Sequence, residues 1–346
     1  MNLVENIKNL SCSIGVSGYE QEVCKFIKIL FDKYCTSTYT DSLGNLVGVK
    51  SCGIENAKKI MIEAHMDEIG LMVSGIDNNG FIKFVPIGGI DVRTLPSKEV
   101  IIHGKKKIFG VIGAKPPHLQ DKEEAEKAIE IDKLYIDCGY TKVEIEKYVE
   151  LGDVITISNK TLTLLNNRIS TKCQDDRTSV AVIIDVLEKL LNVKLDYDLY
   201  VVAATQEEVG CRGSKTVTYG INPDAAIVID VCHGDTPDAS KDTFNLGEGV
   251  VITKGPNIHP NLCNRVIQTL EKSGVKHSID VEGGNTGTDA WSVQISRNGI
   301  PTVLFSIPLR YMHTCIETSD LADIKATSDA IYNFLISINR EEDILC

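Results

Sequence analysis

The sequence predicts an α/β fold: a mixed sheet flanked by helices, with a smaller β-barrel-like domain inserted into it. Three observations carry this. Short apolar runs, "KIMIEA", "LYVVAAT", "AAIVID" and "PTVLFSI", recur along the chain, and strands buried on both faces read as continuous apolar stretches of this kind. Segments with helical spacing of apolar residues lie among them, so strands and helices alternate. Between 69 and 164 the texture changes to short β-rich pieces divided by Gly, Asn-Asn-Gly and Pro turns.

The opening "MNLVENIKNL" reads as an amphipathic helix rather than a signal peptide. Ser17 and Glu20 stand in capping-box spacing before Val23, Phe26, Ile27, Leu30 and Tyr34, which share one helical face. "DDRTSVAVIIDVLEKLLN" repeats the pattern with Val180, Ile183, Ile184, Leu187 and Leu191. A last helix carries Leu321, Ile324, Ile331, Leu335 and Ile338. Within the inserted segment, "VSGIDNNGFIKFVPIGGI", "EVIIHGKKKIFGVIGA" and "LGDVITISNKTLTLL" read as strands, and "DKEEAEKAIEI" as a charged helix. The expected division is a discontinuous larger domain, 1–68 and 165–346, around an inserted β-rich domain, 69–164.

A chain of 346 residues, 43% apolar, can bury a sizeable core. Its net charge of −12, with no run of Lys and Arg able to track a phosphate backbone, argues against nucleic acid as a partner. No apolar stretch reaches the roughly 18 residues that a membrane span needs, so a cytoplasmic protein is expected. Eleven cysteines, an odd number with no Cys-x-x-Cys pair, argue against a disulfide framework and a zinc knuckle. Free thiols are expected, with Cys173, Cys211, Cys232 and Cys315 as packing residues beside the motifs below.

Several apolar runs end on ionisable groups. "KIMIEAHMDE" ends on His65 and Asp67, "LYVVAATQEEVG" on Glu207 and Glu208, "AAIVIDVCHGD" on Asp230, and "PTVLFSIPLRYMHT" runs out shortly before His313. In an open α/β sheet, ligands bind beyond the carboxyl ends of the strands, so these groups would converge on one crevice. Asp175, just ahead of a helix, is placed to join them. Imidazoles and carboxylates in that number match the ligands of zinc and related divalent ions. One ion takes about three protein ligands; five candidates, His65, Asp175, Glu208, Asp230 and His313, suggest two ions, with Asp175 the best bridge. Glu207 is then free to act as general base, and Asp67 could hold the second nitrogen of His65. Any of these motifs alone would be an ordinary surface charge or helix cap; their shared placement carries the reading.

At these residues the sequence resembles the tetrahedral di-metal aminopeptidases, which include glutamyl and deblocking aminopeptidases. "SGYEQEV", "DSLGNLVG", "AHMDEIGLMV", "PIGGID", "AKPPHL", "DDR", "QEEVG", "GDTP", "GTDA" and "RYMHT" follow the family's order across nearly the whole chain. The resemblance implies a zinc-peptidase-like catalytic domain with two divalent ions, zinc first and cobalt or manganese next. His65 and Asp230 would hold one ion, Glu208 and His313 the other, and Asp175 both. The implied activity removes the N-terminal residue of short peptides through a water bridging the two metals, with Glu207 as general base and Asp67 orienting His65. The insert would be a dimerisation domain, and the homo-oligomer a hollow dodecamer built from dimers. Cys173 and Gln174 stand where the family usually has Ala and Leu, which leaves pocket shape and metal preference open. His118, in "AKPPHL", is expected at an interface or in a structural role, whereas Thr288 and Asp289 could approach the site on their Gly-rich loop. Paired carboxylates also cleave sugars, but 6% aromatic content with a single Trp291 suits a sugar cleft poorly.

Overall fold

In the computed structural model, residues 3–121, 127, 129–158, 160–239 and 242–338 are described. The chain opens with the helix Leu3–Cys12, then the helix Gln21–Tyr34. Strands β1 (Ser37–Thr40), β2 (Leu46–Lys50) and β3 (Lys59–His65) follow. Next come β4 (Gly70–Ile76), β5 (Ile82–Ile87), β6 (Glu99–His103), β7 (Lys107–Gly113), β8 (Tyr135–Asp137) and β9 (Val154–Ile157), which close a barrel in the order β4-β5-β8-β7-β6-β9. A short three-stranded sheet joins β10 (Leu162–Thr163), β11 (Arg168–Thr171) and β17 (Glu317–Asp320). The remaining strands are β12 (Asp198–Ala204), β13 (Ala225–His233), β14 (Val250–Lys254), β15 (His277–Val281) and β16 (Thr302–Leu309).

The main sheet runs β1-β2-β12-β3-β13-β16-β14-β15. Its centre, β12-β3-β13-β16, is parallel, while β2 and β14 pair antiparallel with the strands inside them, so the sheet is mixed, as the sequence predicts. All four apolar runs form the four central strands. The helix Gln174–Lys189 packs against β3 and β13 and between the helices Leu3–Cys12 and Leu321–Ser337. It is buried on nearly every side, and Val180, Ile183, Ile184 and Leu187 are wholly enclosed, each contributing about 1.5–3 kcal/mol by leaving water. In the barrel, β7 alternates exposed and buried residues, so Ile108 and Ile112 point into the barrel core while Phe109 and Val111 face outward.

Two local expectations fail for physical reasons. The capping box at Ser17 does not form: Glu20 is the N-cap, without a side-chain cap bond, because the Ser17 hydroxyl donates instead to Asp67 Oδ2 at 2.5 Å. Leu191 lies beyond the end of its helix and is half exposed. The predicted charged helix at 121–131 falls largely outside the described residues. All ten described cysteines are free. Among the described residues, no helix is long and apolar enough to cross a membrane.

Candidate metal centre

A cavity of about 480 Å³ opens at the carboxyl ends of β3, β12, β13 and β16. Its position follows from the register. β3 pairs with β12 as far as His65, but with β13 only as far as Val228. Beyond that point β13 parts from β3 while staying paired with β16 to His233. Asp230, on which the apolar run is expected to end, therefore sits inside its strand, three residues before the observed end at His233, at the mouth of the crevice between diverging strands.

The structure brings His65, Asp175, Glu208, Asp230 and His313 together in two groups that share Asp175. His65, Asp175 and Asp230 offer ligand atoms within 4.8 Å of one another, and so do Asp175, Glu208 and His313. His65 Nε2 lies 3.1 Å from Asp175 Oδ1, and His313 Nε2 lies 3.4 Å from Asp175 Oδ2 and 3.3 Å from Glu208 Oε2. Glu207 belongs to neither group. Its Oε2 is 3.9 Å from His65 Nε2, and its Oε1 accepts a hydrogen bond from the Cys211 thiol at 3.2 Å.

Asp67 does more than face His65. Its Oδ1 lies 3.5 Å from His65 Nδ1, and the same carboxylate accepts the backbone N–H of Glu207 at 3.0 Å and of Glu208 at 3.2 Å. One wholly buried side chain thus fixes the end of β3 and the turn after β12. Asp175, joined to Asp176 by a cis peptide bond, is set by Glu317. That carboxylate accepts from the N–H groups of Gln174 at 2.6 Å, Asp175 at 3.1 Å and His313 at 3.0 Å. Four residues other than glycine adopt positive φ here, Cys173, Gln206, Cys211 and His313. Such backbone is costly and persists where its surroundings over-determine it.

The electrostatics invite cations. Burial, reinforced by the neighbouring carboxylates, pushes Glu208 and Asp230 well above the usual carboxylate range and Glu207 up to about 7. Burial also works against Asp175, but hydrogen bonds from His313 and His65 hold it well below that range. His65, pulled down by burial, is carried well above its ordinary value by Asp175 and Asp67. Asp175 raises His313 as well. A donor set of two imidazoles and crowded carboxylates, with no Lys or Arg among the residues lining the cavity, is the chemistry that divalent ions satisfy.

Several neighbours are not evident from the sequence. Glu63 is wholly buried, two residues before His65 and so on the same face of β3, a spacing that could have disclosed it. Burial and facing carboxylates push Glu63, Asp176 and Asp289 all upward. Asp289 lies close behind Glu207 and accepts from the Ser214 hydroxyl at 2.5 Å, and Thr288 lines the cavity. Cys211 and Cys232 also line it, so Cys211 is a partner of Glu207 rather than mere packing. Cys173 and Gln174 do not line the cavity: the Cys173 thiol lies 2.7 Å from Glu68 Oε2, and the Gln174 amide donates to the Glu317 carbonyl at 2.5 Å. His118 is exposed on a short 3₁₀ turn, Pro117–Leu119, and does not line the cavity.

The barrel reaches into the same site through "PIGGID". A Cβ on Gly89 would meet His313 Nδ1 at 2.9 Å, and one on Gly88, whose φ is +77°, would meet Ile69 at 2.7 Å and the Glu208 Cβ at 3.4 Å. Glycine is required here for close approach.

Comparison with known proteins identifies the family. The sequence profile of the M42 glutamyl aminopeptidase family matches residues 44–329. The lysyl aminopeptidase of Pyrococcus furiosus is 33% identical over 330 residues, covering 93% of this chain and 94% of that protein. Among solved structures, the aminopeptidase APDkam598 of Desulfurococcus kamchatkensis superposes with a TM-score of 0.90 at 36% identity, covering 97% of this chain and 95% of that one. The TET1 peptidase of Pyrococcus horikoshii, which can assemble into a tetrahedron or a large octahedral shell, gives 0.86 at 30% identity, covering 96% and 99%. With a family match over most of its length and full-length likeness to solved aminopeptidases, the chain belongs to the M42 glutamyl aminopeptidase family and is an aminopeptidase.

Proposed function

We propose that this cavity is a di-metal active site that removes the N-terminal residue of short peptides. The observation that carries the reading is the sharing of Asp175 between two three-ligand groups, with Glu207 beside His65 and part of neither. His65 and Asp230 would hold one ion, Glu208 and His313 the other, and Asp175 both. When bound, zinc, or cobalt or manganese, supplies Lewis acidity toward the scissile carbonyl and makes a water acidic enough to attack near neutral pH. Glu207 takes the proton from the attacking water and returns it to the leaving amine. Asp67 keeps that base in place through the Glu207 N–H, and the Cys211 thiol orients its far oxygen.

Two experiments bear on this reading. Enzyme stripped by a chelator is expected to lose hydrolysis of aminoacyl chromogenic substrates and regain it with zinc, cobalt or manganese, while N-acetylated peptides resist cleavage throughout; activity that survives stripping, or indifference to acetylation, removes the proposal. Gly89→Val is expected to push His313 aside and weaken divalent-ion binding or activity by about 10- to 100-fold, the size of losses seen when groups orienting a ligand are disturbed. Titrating metal-free protein with zinc measures it, and wild-type affinity would show that the loop can yield.

The barrel is proposed as the dimerisation surface of a dodecameric shell. The outward placement of Phe109, 70% exposed, and of Leu119, Val111 and Val85 supports this, because exposed apolar groups of that size favour burial between chains.

A further inference from the structure

The end of the cavity away from the metal ligands is unlike the rest. We propose that it receives a cationic side chain, so that peptides beginning with lysine or arginine are the preferred substrates; the inference rests on the aminopeptidase reading above and adds its specificity. Asp242, Asp280 and Glu282 line this end, and no Lys or Arg lines the cavity among the described residues. Two dications at the other end would balance Asp175, Glu207, Glu208 and Asp230, so among the described residues that line the cavity these three carboxylates meet no positive side chain.

The sheet explains how they come to face inward. Thr253 of β14 pairs with Asp280 of β15, and Lys254 pairs with Val281. Side chains alternate along a strand, which sends Thr253 and Asp280 to the cavity face and Lys254 to the other. Asp280 is held by its own Oδ1, which accepts the Val281 N–H at 2.8 Å. Beside it, Thr253 is 1% exposed and lines the same cavity, yet its hydroxyl has no hydrogen-bond partner among the described residues. A buried, unpartnered hydroxyl beside a carboxylate is the kind of acceptor that an ammonium with three donors or a guanidinium with five requires.

A metal ion is a poorer occupant. Among the described residues, Asp242, Asp280 and Glu282 do not gather their oxygens within 4.8 Å as the two groups around Asp175 do.

The test uses the full chain reconstituted with zinc or cobalt and compares p-nitroanilides of lysine, arginine, norleucine and glutamate. Norleucine has the lysine chain without its ammonium. We expect kcat/KM for lysine to exceed that for norleucine by about 10- to 100-fold, with glutamate poorest and the advantage shrinking as salt screens the rim carboxylates. In Asp280→Asn the lysine-to-norleucine ratio should fall by about tenfold, chiefly through the KM for lysine. Thr253→Val and Glu282→Gln read the same ratio should Asp280→Asn fail to fold. Norleucine or glutamate cleaved as well as lysine, or a ratio unmoved by all three substitutions, overturns the specificity while leaving the aminopeptidase reading intact. Failure to cleave any substrate with a free α-amine removes both.

Discussion

Glu207→Gln is expected to retain its metals and its fold while hydrolysis falls by about 100- to 10,000-fold, the usual worth of a general acid–base group. The substitution changes little else. Glutamine has the same length and still offers an oxygen to the Cys211 thiol, and the backbone N–H held by Asp67 is untouched. What disappears is the ability to carry a proton. Burial, opposed by His65 and reinforced by Asp289 and Asp175, raises Glu207 to about 7, where a carboxylate can both take and return a proton near neutral pH. Metal content, melting temperature and kcat should be measured together. Near-wild-type turnover would remove Glu207 from the mechanism, whereas loss of metal would make it a ligand.

Glu68→Gln should be the most damaging conservative change for stability, by about 3–5 kcal/mol, because it leaves buried cations without their counter-charge. Glu68 is 3% exposed and pairs with Lys172 and with Arg177, itself wholly buried. The Arg177 guanidinium also donates to the carbonyls of Met66, Leu10, Ser13 and Gly15, tying the N-terminal helix to the end of β3. Burial alone would raise Glu68, but Lys172 and Arg177 bring it from 4.5 down to about 2. A pKa depressed on folding stabilises above the unfolded value and ceases to do so as pH falls through the folded one. The contribution, about 3 kcal/mol, is therefore present above pH 4.5 and lost between there and pH 2. Denaturant unfolding of metal-free protein at pH 7 and pH 3 should show the gap between wild type and Glu68→Gln narrowing in acid. A gap of equal size at both would place the effect in packing instead.

The contrast between these residues explains what could be read from the sequence. His65, Glu208 and Asp230 are legible because each interrupts or follows an apolar run, and parallel strands bring such places to one end of the sheet. Glu317 is not. It stands in the polar string "ETSD" and serves Asp175 from 142 positions away, so only the folded chain shows that it holds the backbone of two proposed ligands. Arg177 looks like a surface charge after "QDD", and its burial depends on four carbonyls far back in the chain. The Ser17 hydroxyl satisfied a local capping rule until a more distant acceptor, Asp67, claimed it. The strand β15 stands at the edge of the sheet, half exposed, and its pattern is correspondingly weak, while β14 is buried from Val250 to Thr253 but is a short run.

The glycine pair at 88 and 89 ties the fate of the barrel to that of the catalytic crevice. A version of the chain shortened by removing the barrel would lose the wall against which His313 and Glu208 rest, so subunit association and chemistry should prove hard to separate by deletion.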